Sequence, residues 1–497
     1  MVRFCAWSLS LTFALGAAAM PSHADDVADL KARLEQIERD NAALRKEVNQ
    51  LKEERNGTWL NERRAQEVQA MIQDVLADAD TRASLLADQS HVGYINGAFS
   101  IGSPDGKFLM QIGGLIQARY IYNHRGRAPG GLDQFDKDES GFDLPRVRLE
   151  VGGWIGDPRF TYFVRFGPDR EDNEVLGEKA VIGYRPTETF AIYAGEDKAA
   201  FLREEIIGPA FQMATDRSLM NEVFTVGYIQ GAWITWAVHP NLTFYASVND
   251  GVRSGEADNE SNSAFLTRAT GDPDLEPIHK PFFLDNTDVA LTFRLDWKVM
   301  GNWEQYEDFA AWSGEPTALF LGAAVHLELG ETGSSPGAGN SGDNDNFLLW
   351  TVDASFEHEG LSIFAALVGL HTDLEVANNF DMFGVVVQAG YMVIPDKLEP
   401  FIRFEWIDLD RRNVTTGVNT AGDNDVYLLT FGVNYYIIRH RAKVTVDVIW
   451  IGSTLPDSSI LGLQDNDGFD QSLGHIGLRQ DIDKDQIVIR IQFQVMF

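Results

Sequence analysis

Gln486-Ile-Val-Ile-Arg-Ile-Gln-Phe-Gln-Val-Met-Phe497 is the stretch that decides the fold. Ile487, Ile489, Ile491, Phe493, Val495 and Phe497 share one face, and Gln486, Arg490, Gln492 and Gln494 share the other. A period of two is a β-strand, because successive side chains point to opposite faces of a sheet. A free edge this apolar would promote aggregation in water. Facing lipid, it is what a strand of a membrane-spanning barrel requires.

The same alternation recurs upstream. Val289, Leu291, Phe293, Leu295 and Trp297 alternate with Asp288, Thr292, Arg294, Asp296 and Lys298. Ile402, Phe404 and Trp406 alternate with Arg403 and Glu405, and Val444, Val446 and Val448 with Lys443, Thr445 and Asp447. Charge opposite the apolar face, strand after strand, predicts a wet lumen. Strands are expected at 108–122, 145–156, 160–167, 178–185, 188–196, 223–239, 241–250 and 286–299. A second set is expected at 317–328, 347–357, 361–371, 382–394, 398–409, 425–438, 442–451 and 485–497. Residues 94–101 add a short strand or an N-terminal plug segment. The fold class is therefore all-β, a transmembrane antiparallel barrel of about 16 strands. Connections such as His239-Pro240-Asn241 and His358-Glu359-Gly360 are tight and follow even-numbered strands, while long ones follow odd-numbered strands. That asymmetry places both termini on the periplasmic side. The connection over 300–316 is long for a periplasmic turn.

Ahead of the barrel, residues 1–24 read as a signal peptide. Arg3 precedes an apolar run from Ala6 to Ala19, and Ser22-His23-Ala24 offers small residues for cleavage. The one cysteine, Cys5, lies in that segment, so disulfide and cysteine–metal chemistry are not expected of the mature chain. Residues 25–55 carry heptads: Val27, Leu34, Asn41 and Val48 at a, and Leu30, Ile37, Leu44 and Leu51 at d. In a parallel register Arg33 meets Glu38, Asp40 meets Arg45 and Glu47 meets Lys52, all attractive pairs. An N-terminal α-helical coiled coil in the periplasm follows, its order, dimer or trimer, left open. Residues 56–107 read as a linker with an amphipathic helix over Val68, Met71, Ile72, Val75 and Leu76. The barrel occupies 108–497. The coil admits a structural alternative, a tether between outer membrane and cell wall.

Phe108-Leu-Met-Gln-Ile-Gly-Gly-Leu-Ile-Gln-Ala-Arg-Tyr120, the Pro145-Arg-Val-Arg-Leu-Glu-Val-Gly-Gly153 block, Phe431-Gly-Val-Asn-Tyr-Tyr436 and the terminal Arg490–Phe497 strand resemble the phosphate-selective porin O and P family. The resemblance covers roughly 94–497. It implies an outer-membrane porin, a homotrimer, with a lumen lined by arginines and lysines that passes small anions such as phosphate. It also implies a third long loop folded inward to narrow the pore. That loop, about 197–222, contains Lys198, Arg203, Glu204, Glu205, Asp216, Arg217 and Glu222, a mixed set of charges. Phe493, Val495 and Phe497, on a strand ending at an aromatic residue, resemble the signal read by the outer-membrane assembly machinery.

Strand parity assigns ten bases to the lumen: Arg119, Arg146, Arg148, Arg165, Lys179, Arg294, Lys298, Arg403, Lys443 and Arg490. Glu150, Asp288, Asp296, Asp353, Glu357, Glu405 and Asp447 face the same way, and about half of the bases are expected to pair with such acids. The net charge of -33 sits mostly in long loops. It argues against nucleic-acid partners, whose phosphates it would repel. It leaves a general or cation-preferring pore as the alternative. The acidic clusters Asp343-Asn-Asp345, Asp423-Asn-Asp425 and Asp465-Asn-Asp467 lack a terminal Glu and read as solvated surface rather than calcium sites. No nucleophile elbow, metal triad or phosphate-cradling loop is present, so neither an enzyme nor a cofactor is expected.

Overall fold

The structure is a computed structural model that describes residues 91–95, 98–126, 137–168, 175–251, 287–330, 346–373, 379, 381–408, 425–455, 476–479, 481 and 485–497. The expected signal peptide, coiled coil and amphipathic helix lie outside the described residues. So do the acidic loop clusters, apart from Asp425.

A hairpin of β1 (His91–Ile95) and β2 (Ala98–Gly102) comes first. The wall then runs up and down through β3 (Phe108–His124), β4 (Asp138–Ile155), β5 (Phe160–Pro168), β6 (Val175–Thr187) and β7 (Phe190–Lys198). It continues with β8 (Tyr228–His239), β9 (Leu242–Asn249), β10 (Thr287–Met300), β11 (Ala318–Gly330) and β12 (Asn346–His358). The remaining strands are β13 (Leu361–Asp373), β14 (Asp381–Tyr391), β15 (Leu398–Asp408), β16 (Asp425–Ile438), β17 (Ala442–Ile451) and β18 (Gln486–Met496). Each pairs antiparallel with the next, and β18 returns to β3 from Ile487 opposite His124 to Met496 opposite Leu115. β3 to β18 thus form a closed 16-strand barrel. Closure leaves no open edge, as lipid demands of a spanning sheet. Each of the sixteen strands read from the sequence has its counterpart. One boundary is corrected: 223–227 is not strand, because the chain there ends a helix inside the barrel. The expected segment at 94–101 is the β1–β2 hairpin, and β2 pairs with Leu109–Ile112 just where β18 runs out.

The outer face is apolar. Ile182, Ile192, Leu295, Trp297, Ile402, Phe404, Phe431 and Ile491 are all exposed. A water-soluble protein does not carry such a continuous patch, and a hydrocarbon surround removes its cost. Tight turns join β4–β5, β6–β7, β8–β9, β12–β13, β14–β15 and β16–β17 at one end, and the longer loops lie at the other. Between β12 and β13, Glu359 and Gly360 both take positive φ, 46° and 85°, the backbone of a two-residue hairpin whose twist suits the flanking strands.

The seam at β18 is tight. The Phe497 amide donates to Gly114 O at 3.0 Å, and the Gly114 amide donates to Phe497 O at 2.8 Å. A Cβ on Gly114 would fall 2.7 Å from the Phe497 ring and 2.7 Å from Arg148 O. Glycine is therefore required for β18 to lie down on β3.

One expectation is corrected inside. The lumen is wet and charged only in part. Near the long-loop ends of β12 to β17, the inward residues Phe347, Leu349, Val368, Leu370, Val426 and Ile451 join a dry apolar cluster. The partner surface comes from the loop after β7. Gly114→Val should cost about 1–3 kcal/mol through overpacking at the seam, read as a lower urea midpoint and less heat-modifiable barrel in an electrophoretic assay. Gly141→Ala, whose Cβ would meet nothing within 4 Å, should change stability by less than about 0.5 kcal/mol.

Candidate functional site

β7 delivers the chain into the lumen, and residues 199–227 stay there. The apolar residues of this loop explain why: Phe201, Leu202, Leu219, Met220, Val223 and Phe224 are each at most 2 % exposed and pack against the dry wall. Two short helices shape it, α1 (Arg203–Ile206) and α2 (Leu219–Phe224). Ser218 caps α2, its hydroxyl accepting from the Asn221 amide at 3.0 Å. The same hydroxyl donates to Glu204, which also accepts from the Ser218 amide at 3.1 Å.

Polar groups of the wall hold this loop from several sides. Asp216 receives Arg119 from β3 at 2.9 Å and Arg146 from β4 at 3.0 Å. Arg403 donates to Asp216 O at 2.8 Å and pairs with Glu405, while Lys443 donates to Gln212 O at 2.6 Å. Arg294 donates to Phe201 O at 2.7 Å and pairs with Asp296 and Asp353. Asp447, paired with Arg490, accepts from the Thr215 amide at 3.0 Å. These side chains are almost fully buried, where a charge persists only if paired and hydrogen-bonded.

The ten bases read from strand parity lie on the inner face and fall into different roles. Arg119, Arg146, Arg294, Arg403, Lys443 and Arg490 brace the loop or its supporting acids. Lys298 lies over the Trp303 ring at 5.4 Å. Arg148, Arg165 and Lys179 instead border a cavity of about 120 Å³ between the loop and β4–β9, with Lys198 and Arg217 completing its basic lining. Pairing with acids extends beyond the half expected. Arg148 meets Glu178 at 2.6 Å, Arg165 meets Glu150 at 2.8 Å, and Lys179 meets Asp197 at 2.5 Å. Arg148 Nη1 nevertheless finds no hydrogen-bond partner among the described residues.

The seven loop charges are likewise divided. Glu204 and Asp216 serve the loop's own bracing. Lys198, Glu205 and Arg217 meet at the cavity, Glu205 pairing with both bases. Burial works against the charge of Glu205, but Arg217 and Lys198 outweigh it and hold the carboxyl well below its usual range. Among the described residues Glu222 has no base that close. Burial first, then the carboxylates of Glu205 and Asp216, push it up to about 8. Arg203 points away from the cavity, its guanidinium 3.4 Å from the centroid of the Tyr306 ring.

Tyr306 belongs to a feature that the strand reading did not anticipate. Residues 301–317 between β10 and β11 do not hang below the barrel; their aromatic residues enter it. Trp303, Tyr306 and Trp312 are each at most 5 % exposed, and Phe309 packs on Phe364 at 4.7 Å. Asn302 and Gln305 form a capping box over Trp303–Glu307. Trp312 donates to Asp308 at 2.9 Å, and Asp308 also meets His440 at 3.0 Å. The available signal was an aromatic residue at every third position, 303, 306, 309 and 312, in a connection already too long for a tight turn.

The family described as phosphate-selective porin O and P matches residues 122–280, and the chain resembles it there. No curated protein matches. Among solved structures, the anion-selective porin from Comamonas acidovorans aligns at 8 % identity and a TM-score of 0.47, over 78 % of this chain and 99 % of that one. The outer membrane channel DcaP of Acinetobacter baumannii gives 11 % identity and 0.46, over 78 % and 96 %. OmpT of Vibrio cholerae gives 11 % and 0.44, over 82 % and 100 %.

Asp216→Ala would leave Arg119 and Arg146 without their shared carboxylate. The expected loss is about 3–5 kcal/mol, read by urea unfolding, together with a noisier and larger single-channel current as the loop comes free.

Proposed function

We propose that this chain is an outer-membrane porin in which small anions, phosphate among them, pass beside β4–β9. The observation that carries this reading is the division of the bases. Six brace the loop or the acids that hold it, whereas Arg148, Arg165, Lys179, Lys198 and Arg217 line the cavity, five bases against the four carboxylates that pair with them, Glu178, Glu150, Asp197 and Glu205. A lining richer in cations favours anions, because field and hydrogen-bond donors at the narrowest point set selectivity. Charge on loops outside the barrel is screened over about 8–10 Å of salt solution, so a net charge of -33 does not decide the matter. Arg148 is paired with Glu178 through Nε, but its Nη1, without a hydrogen-bond partner among the described residues, is a donor that a transiting anion would satisfy.

In this proposal residues 1–24 are removed, 25–55 form a periplasmic coiled coil joined by 56–107 to the barrel of 108–497, and the protein is a homotrimer. Phe493, Val495 and Phe497 serve insertion by the assembly machinery. The segment at 301–317 fills the short-turn end of the barrel on the side away from the passage. Planar-bilayer recording with a chloride gradient tests the function. The wild type should give an anion-side reversal potential. Arg165→Gln combined with Lys179→Gln should lower the anion-to-cation permeability ratio several-fold, and a cation-side potential in the wild type would overturn the proposal.

The ratio should also depend on pH. Glu222, raised to about 8, is largely neutral below that value and above it gains a negative charge that acts on the cavity-lining Lys198 and Arg217. Anion preference is therefore expected to fall as pH rises through about 7 to 9. Glu222→Gln should weaken that dependence without abolishing it when permeability ratios are recorded across the range.

A further inference from the structure

The lining of the cavity changes its chemistry along the wall. Cations come from β4 to β7, and then Trp233 on β8 and Tyr245 on β9 take over. The aromatic part is a built surface. Trp233 stacks on Tyr193 with centroids 5.8 Å apart and planes 21° apart. Both belong, with Tyr245, Val181 and Ala191, to an apolar cluster against which Ala200 and Ile206 of the inward loop pack. Chloride or inorganic phosphate would use the cations and gain nothing from this shelf. An anion with a flat apolar body uses both, because a ring gains by stacking and excluding water while its charged end needs donors.

We propose that the cavity is a binding site for aromatic carboxylates, with the carboxylate held at Arg148 and the ring on the shelf of Trp233 and Tyr245. This rests on the reading of the chain as an anion-passing porin and narrows the solute class. Arg148 supplies the donor at Nη1 that no side chain or carbonyl satisfies among the described residues. Trp233 sets specificity by rewarding a ring over an alkyl or inorganic anion.

The test uses the full chain in planar bilayers, with benzoate, acetate and phosphate each titrated against the chloride current. Half-block by benzoate is expected about tenfold below that by acetate, equivalent to about 1.4 kcal/mol, and below that by phosphate. Trp233→Leu should bring the acetate-to-benzoate ratio close to one, and Trp233→Phe, which keeps a ring, should restore most of it. If Trp233→Leu does not insert, the wild-type ratio and the Trp233→Phe value still decide. Equal block by benzoate and acetate, or tighter block by phosphate, with the current still carried by anions, overturns the aromatic site and leaves the porin reading standing. A cation-carried current overturns that reading and the site with it.

Discussion

Two guanidinium groups, Arg119 and Arg146, reach Asp216 at 2.9 and 3.0 Å in the lumen, all three side chains essentially closed to solvent. Ion pairs in such surroundings contribute little net stability, since desolvation cancels most of the attraction. Their value lies in specificity. Asp216 has no alternative place to keep its charge, so the loop bearing it must sit where both arginines reach. The position of that loop determines where space is left in the barrel. Once 199–227 is bound to β3, to Arg146 of β4 and to the strands from β10 to β18, the cavity beside the rest of β4 and β5–β9 follows, and so does the division of bases into braces and lining.

The apolar half of the same arrangement is equally constraining. α2 presents Leu219, Met220, Val223 and Phe224 to the apolar inward residues of the wall. Nearer the tight turns some inward residues are polar, such as Asn434, Thr445 and Gln494, and they meet carbonyls and side chains instead. The loop is thus matched by hydrophobic burial on one level and by directed hydrogen bonds on another. Arg203 joins it to the segment at 301–317 through the Tyr306 ring and the Tyr306 carbonyl, 2.8 Å away. Both inward segments therefore act as one filling of the barrel.

The wall was legible because alternation is local: each of the sixteen strands announces its period within its own residues, and lipid enforces the pattern on the outer face. The filling was less legible. Val223, Phe224 and Val226 suit a strand or a helix equally, and only packing against β14 and β15 decides for α2. The dry cluster was written in unbroken apolar runs, Phe347-Leu-Leu-Trp350 and Ile449-Trp-Ile451, where strict alternation would have shown polar residues. Parity gave the face of Arg119 and Arg148 alike; it could not tell that one meets Asp216 and the other the cavity, because that depends on a loop distant in sequence. The heptads of 25–55 fall outside the described residues, so nothing in the barrel bears on them.

The central claim is that the passage runs beside β4–β9 and that the opposite side is filled. Single-cysteine accessibility tests it directly, with Cys5 replaced by serine. Thr235, on the inner side of β8 at the cavity, and Thr430, fully buried on β16, each become cysteine in turn. A negatively charged thiol reagent added during single-channel recording should reduce the current through Thr235→Cys and leave Thr430→Cys unchanged. Rapid block of Thr430→Cys with an unreactive Thr235→Cys would place the passage on the other side of the loop and contradict the account.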